Sequence, residues 1–279
     1  MTKDSSQNEA VAKFRALHES GCFILPNPWD IGSAVYLHHL EFKALATTSA
    51  GFAFSRGRAD GKVERDEMLA HICEVAAATP LPVNADFLGG FAVEPGDVAE
   101  NVKRCVATGV AGLSIEDSTG VNDPLIFEEQ LAVERIRAAR AAIDETGVPV
   151  VLTARCEAWL VGYPDPFQVA SKRLAAYAAA GADCLYAPSV RNPREVGELV
   201  KIVAPKPVNL LMSRPNPELS FARIAELGVR RISVGSALAL VAWDAFTRAA
   251  REMAQNRSFD SLAEAASFAE LNELFAERS

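Results

Sequence analysis

The chain has no CxxC pair, no histidine at the end of an apolar run, and no GxGxxG after its first strand-like stretch. No apolar run approaches the length of a membrane span. Each absence removes a class of protein. Five cysteines, Cys22, Cys73, Cys105, Cys156 and Cys184, lack metal-ligand spacing and read as small buried side chains in a reducing compartment. The four histidines, His18, His38, His39 and His71, fall in helical stretches, which argues against a histidine triad or a zinc site. Positive charge is in deficit. A net charge of −8 excludes nucleic acid as a general partner, although a local cationic pocket for a small anion stays allowed. The N-terminal residues 1–9 carry no apolar signal core, so a cytoplasmic protein without a membrane partner is expected.

Short apolar runs alternating with amphipathic segments are abundant. Strands are expected at 22–26, 44–48, 81–86, 111–116, 149–155, 184–187, 207–211 and 231–234. Helices are expected at 9–20, 31–40, 64–78, 96–108, 127–145, 166–180, 193–203 and 217–227, then at 236–254 and 260–276. A Gly-rich polar segment, 49–61, reads as a loop. Strict alternation of eight strands with helices predicts an α/β fold, a (β/α)₈ TIM barrel. The whole chain, 1–279, is read as a single barrel domain, with the barrel over about 20–240 and a C-terminal helical extension at 241–279.

Three strands end in charge. Asp86 and Glu116 close the third and fourth strands and Arg155 closes the fifth, so a barrel brings them to one mouth. The bland alternative for the acids is capping or a salt bridge across the barrel top; for Arg155 it is a structural pair with Glu116 or Glu157. The functional reading is a hard divalent cation, Mg²⁺ with Mn²⁺ as the alternative, held by oxygen ligands beside an arginine that suits a carboxylate or enolate. Thr48, Ser49 and Gly51 offer hydroxyls and turning amides to an anion, and Asn209 and Ser213 arrive from strand seven. Trp29 and Phe54 either pack against a ligand or plug the rim. Asp60 is in isolation a solvated loop acid, and Asp117 should face away from the mouth or sit in the loop.

Several ordered motifs resemble the isocitrate lyase/phosphoenolpyruvate mutase superfamily over about 20–240. They are Asn27-Pro28-Trp29-Asp30, Thr47-Thr48-Ser49-Ala50-Gly51, Arg58-Ala59-Asp60, Asn84-Ala85-Asp86, Ser114-Ile115-Glu116-Asp117 and Thr153-Ala154-Arg155, followed by Ala180-Gly181-Ala182-Asp183. The resemblance implies a Mg²⁺-dependent barrel enzyme acting on small 2-oxo or 2-hydroxy acids. It makes Asp86 the direct metal ligand, and gives Asp60 and Glu116 the task of holding metal-bound water. It places Arg155 on the substrate carboxylate, and Thr48 and Ser49 where the family binds the oxo-acid. It also implies a homo-oligomer, a dimer or tetramer, with the helices after 236 exchanged between barrels. Two departures stand out. Leu88 occupies the position of a second acid, and the loop 118–124 lacks the cysteine motif of the lyases and the lysine pattern of the mutases. Asn122 is the polar residue left there that could substitute as a catalytic group. A C–C lyase or decarboxylase working through an enolate is therefore expected. Phosphonopyruvate or carboxyphosphonoenolpyruvate chemistry is one alternative, and a non-enzymatic 2-oxo-acid binding protein is another.

Overall fold

A computed structural model describes residues 3–121 and 123–276. Eight parallel strands form one sheet in the order β1-β8-β7-β6-β5-β4-β3-β2. They are β1 (Phe23–Leu25), β2 (Leu45–Ala46), β3 (Val83–Asp86), β4 (Gly112–Glu116), β5 (Val151–Arg155), β6 (Cys184–Tyr186), β7 (Val208–Leu211) and β8 (Arg231–Ser233). The Ala46 N–H donates to the Pro26 carbonyl at 3.0 Å, joining β2 to the end of β1 across the seam. The expected (β/α)₈ TIM barrel is the observed fold.

Helices α1 (Lys3–Glu19), α2 (Ile31–His39), α3 (Ser49–Ser55), α4 (Arg65–Ala78), α5 (Pro95–Val106), α6 (Glu129–Thr146), α7 (Pro166–Ala179), α8 (Pro193–Val203) and α9 (Phe221–Glu226) belong with the barrel. Their starts are written in the sequence. Asp30 and Ser33 form a reciprocal capping box on α2, and Ser220 caps α9. Helix α5 buries Val98, Asn101, Val102, Cys105 and Val106, the spacing of one helical stripe. Residues up to 236 form one compact unit and those from 237 onward a second, with α10 (Ala237–Asn256), a 3₁₀ turn (Asp260–Glu264) and α11 (Phe268–Ala276).

Three expectations need correction. The segment 49–61 is not all loop: α3 occupies its first half, because the Thr48 hydroxyl accepts from the Gly51 N–H and caps it. That cap also ends β2 early, so strand two does not reach 48. The expected helix 260–276 is broken, since Ala265 is extended (ψ 148°) after the 3₁₀ turn.

The lumen is unusually polar. Inward positions two apart, Asn84 and Asp86, Thr153 and Arg155, Arg231 and Ser233, carry polar groups, while the intervening Ala85, Leu113, Leu152, Ala154, Leu185, Leu210 and Ile232 are buried against the helices. Helix α1 closes the bottom with Phe14. The approach is close enough that a Cβ on Gly112 would stand 2.8 Å from both Phe14 and the Asn84 amide oxygen.

Candidate active site

A cavity of about 270 Å³ opens at the strand C-termini and runs down the lumen. Asp60, Asp86, Arg155, Thr48, Ser49 and Asn209 line it, as do three residues not singled out from the sequence: Tyr186, Arg231 and Ser233. Glu116 stands behind Arg155, bonded to it at 3.1 Å. Trp29 and Gly51 are not among the lining residues; Gly51 serves the α3 cap. Asn122 lies outside the described residues.

The β2–β5 side is an ionic lattice centred on Arg155. Its Nη1 meets Asp86 Oδ1 at 2.6 Å, its Nη2 meets Glu116 Oε2 at 3.1 Å, and its Nε meets Glu157 Oε1 at 2.9 Å. Burial opposes its charge, but Glu157, Glu116 and Asp86 outweigh burial and keep the guanidinium ionised. The expected structural pairing of Arg155 with Glu116 and Glu157 is present. Three of its five N–H donors are engaged by these acids, and two are left for a ligand. The α3 N-terminus fixes Asp86 from the other side, with the Ser49 N–H donating to Oδ2 at 2.9 Å. The Asp86 N–H in turn donates to the Thr47 hydroxyl at 2.9 Å.

Burial pushes the Glu116 carboxyl up to about 8, against the pull of Arg155, with Glu157, Asp86 and Asp60 adding to the rise. Glu157 is raised for the same first reason. Asp60 sits in an exposed stretch, yet its carboxyl turns toward the cavity, where lost hydration and then Asp86 raise its pKa. Crowded acids that tend to hold protons are what an oxygen-liganded cation would relieve. Among the described residues, no three His, Cys, Asp or Glu side chains converge into a metal cage. Asp60 and Asp86 share the cavity wall, and Mg²⁺ needs only one or two carboxylates alongside water and substrate, so the donor set fits that ion.

Adjacent acids face opposite ways, as expected for a strand end. Asp117 is buried behind the wall, accepting from the Glu157 N–H at 2.8 Å, Arg173 at 2.8 Å and the Tyr177 hydroxyl at 2.7 Å. Arg135 donates to the Gly89, Ala92 and Val93 carbonyls, and its guanidinium lies 4.0 Å over the Phe127 ring. It ties the loop after β3 to the loop after β4. Burial brings its pKa down to about 10. A Cβ on Gly89 would approach Arg135 Nη2 to 3.0 Å, so Gly89 makes room for this arginine, whereas one on Gly90 would press on Val98.

The β6–β8 side holds no ion pair among the described residues. Arg231, 2 % exposed, donates to Asn209 Oδ1 at 2.9 Å and Thr153 Oγ1 at 3.0 Å, and meets His18 Nε2 at 3.3 Å. Asn209 Nδ2 donates to Ser233 Oγ at 2.9 Å. Tyr186 stands between the two sides, with the Arg155 guanidinium 5.2 Å from its ring centre. Burial pushes its hydroxyl up to about 12. Arg231 and Tyr186 escaped sequence reasoning because Arg231 opens its strand and Tyr186, although it closes β6, reads as apolar. The signal that could have found them is the two-residue alternation of polar side chains inside the strands.

A parallel barrel with acids and an arginine gathered at its C-terminal mouth has the layout of a TIM-barrel enzyme. The model of the phosphoenolpyruvate phosphomutase family matches residues 14–254, and the chain belongs to that family, within the isocitrate lyase/phosphoenolpyruvate mutase superfamily of lyases and mutases. An uncharacterized Mycobacterium tuberculosis protein is 36% identical over 227 residues, covering 80% of this chain and 81% of its own. A crystal structure from Burkholderia cenocepacia J2315, described as a lyase/mutase, superposes with TM-score 0.93 at 45% identity, covering 98% and 97% of the two chains. Oxaloacetate decarboxylase of Chromohalobacter salexigens is 29% identical over 242 residues, covering 83% of this chain and 81% of that protein. No described helix is long and apolar enough to cross a membrane.

Proposed function

We propose that this enzyme is a Mg²⁺-dependent lyase or decarboxylase acting on a small 2-oxo or 2-hydroxy dicarboxylic acid through an enolate. The observation that carries the reading is Asp60, Asp86 and Arg155 on one cavity wall, with Glu116 bonded behind. Asp86 and Asp60 would hold Mg²⁺, which would supply Lewis-acid stabilisation of developing negative charge. Arg155 holds the substrate carboxylate with its remaining donors, and the acids around it fix its plane. Ser49 and Thr47 hold Asp86 in place, and Ser49 and Thr48 offer hydroxyls to the oxo-acid end. Decarboxylation suits the site because, among the described residues, no histidine or cysteine lines the cavity to serve as base, and carbon dioxide leaves without one. The similarity to oxaloacetate decarboxylase supports this choice.

Phosphonate chemistry remains a second reading. It gains from Arg231, a second cation at the cavity, because phosphoryl groups recruit several. The test is Mg²⁺-loaded protein against oxaloacetate, alkylmalates and phosphonopyruvate, with carbon dioxide, pyruvate, glyoxylate and phosphate measured beside Asp86→Asn. Metal-dependent keto-acid that vanishes in the variant supports the lyase reading. Phosphate release transfers support to the second, and no product from any substrate defeats both.

The helices after 236 present exposed Val241, Phe246 and Phe268, at 68%, 61% and 85%. Apolar exposure on that scale supports a homo-oligomer in which they are exchanged between barrels. Light scattering of the intact chain against Phe246→Glu checks it, with dissociation expected.

A further inference from the structure

Arg231 is 2 % exposed, and among the described residues no carboxylate forms an ion pair with it. A guanidinium buried without a counter-charge is strongly unfavourable. We propose that the lower lumen of the barrel is an anion subsite centred on Arg231, taking one compact negative group, a halide or a carboxylate. The inference stands apart from the oxo-acid reading and does not need it.

The neighbours of Arg231 take up some of its donors but none of its charge. Its Nε donates to Asn209 Oδ1 at 2.9 Å, and its Nη2 to Thr153 Oγ1 at 3.0 Å. Its Nη1 meets His18 Nε2 at 3.3 Å. That nitrogen accepts, because His18 Nδ1 gives its hydrogen to the Phe14 carbonyl at 2.7 Å. Burial, reinforced by Arg231, brings the His18 pKa down to about 3, so the ring is neutral at physiological pH. Three of the five N–H donors are engaged, which leaves one on each Nη. Arg231 lines the cavity, whose volume of about 270 Å³ has room for a group of a few atoms.

The subsite is distinct from the mouth. Thr153 and Arg155 face inward on β5 two residues apart, so the Arg231 contact lies roughly 7 Å of strand below Arg155. The acids of the cavity wall, Asp60 and Asp86, belong to the mouth, where Arg155 meets Asp86 at 2.6 Å. The lining residues Asn84, Ser114 and Asn209 carry no charge. Asn84 is a second, independent sign of a ligand. It is 4 % exposed and lines the cavity. Its Nδ2 donates to the Ala85 carbonyl at 3.2 Å, while its Oδ1 has no partner among the described residues. A buried acceptor left unmet is unfavourable. A hydrated anion relieves it, since one water can donate to both the amide oxygen and the anion. The negative group has two sources: a free inorganic ion, or the far carboxylate of a dicarboxylic acid reaching down from Arg155.

Crystals of the intact protein soaked in sodium bromide test the subsite directly. An anomalous bromide peak within hydrogen-bonding reach of Arg231 Nη1 or Nη2 is expected, and Arg231→Gln should lose it. Thr153→Asp sets a carboxylate against the arginine and should abolish the peak from within. In solution, chloride replaces gluconate at constant ionic strength. The wild-type Tm should then rise saturably, by about 3 °C at tenfold excess over Kd. Thr153→Asp should start at the higher Tm and show no rise. Succinate and butyrate added to the bromide soak separate the sources. A peak lost to succinate alone assigns the subsite to a dicarboxylic acid, and one lost to both assigns it to any free carboxylate. A peak that survives both assigns it to an inorganic ion, and each of these results supports the subsite. No bromide at Arg231 in wild type overturns the proposal, whatever the variants do. So does a peak or a saturable chloride effect that persists in Arg231→Gln, and the oxo-acid reading is untouched by either.

Discussion

The two walls of the cavity are held by opposite means. On the β2–β5 side, three carboxylates surround Arg155, and the contacts that hold it are charge against charge. On the β6–β8 side, a buried arginine meets only neutral acceptors, and order comes from donor direction rather than charge balance. The first arrangement engages three of the five Arg155 donors, so a ligand can be added without displacing an acid. The second cannot be rearranged piecemeal, since reversing one amide leaves a buried donor facing a donor. One wall is suited to binding charge, the other to keeping its donors and acceptors in a fixed order.

The contrast can be broken at each end. The largest effect is expected from Asp86→Asn, which keeps the shape but removes charge from the ionic wall. Metal-dependent kcat/KM should fall by on the order of 10³, measured with saturating Mg²⁺. Arg231→Met attacks the other wall. It leaves Asn209 and Thr153 as buried acceptors without their donor and should cost about 2 kcal/mol, read by denaturant unfolding.

Smaller effects appear as slopes against pH. Folding lifts Glu116 from 4.5 to about 8, so the folded state binds the extra proton between those values. Stability from this group is full below about 4.5 and lost as pH rises through 8. Thermal melts of metal-free protein from mildly acidic to mildly alkaline pH should show that decline. Glu116→Gln should remove it, and Mg²⁺ should shift it to lower pH.

The smallest is an acid limb of opposite sign. His71, stacked on Phe52 at 3.8 Å, is lowered from 6.5 to about 4 by burial. Its stability is present above 6.5 and lost as pH falls toward 4. His71→Leu should flatten that limb by at most about 1.4 kcal/mol per pH unit, measured by urea midpoints.

The barrel was legible because alternation of apolar runs with amphipathic segments is a property of each local stretch. Asp86, Glu116 and Arg155 were legible because charge closing an apolar run is conspicuous. Helix α3 was hidden, since Thr48 acts as a cap only once β2 has delivered it there. The donor chain was hidden for a deeper reason. Arg231, Asn209 and Ser233 come from two strands, and nothing in either strand tells which way the amide between them points.

Leu88 adopts φ 49°, a left-handed geometry that Asp and Asn tolerate far better than a branched aliphatic side chain. Its carbonyl receives the Glu116 N–H at 3.0 Å, so the turn is anchored by backbone and not by the leucine. The position is thus an editable socket. Leu88→Asp would relax the main chain without touching the backbone bond that anchors the turn, so the residue can change at no expense to the fold.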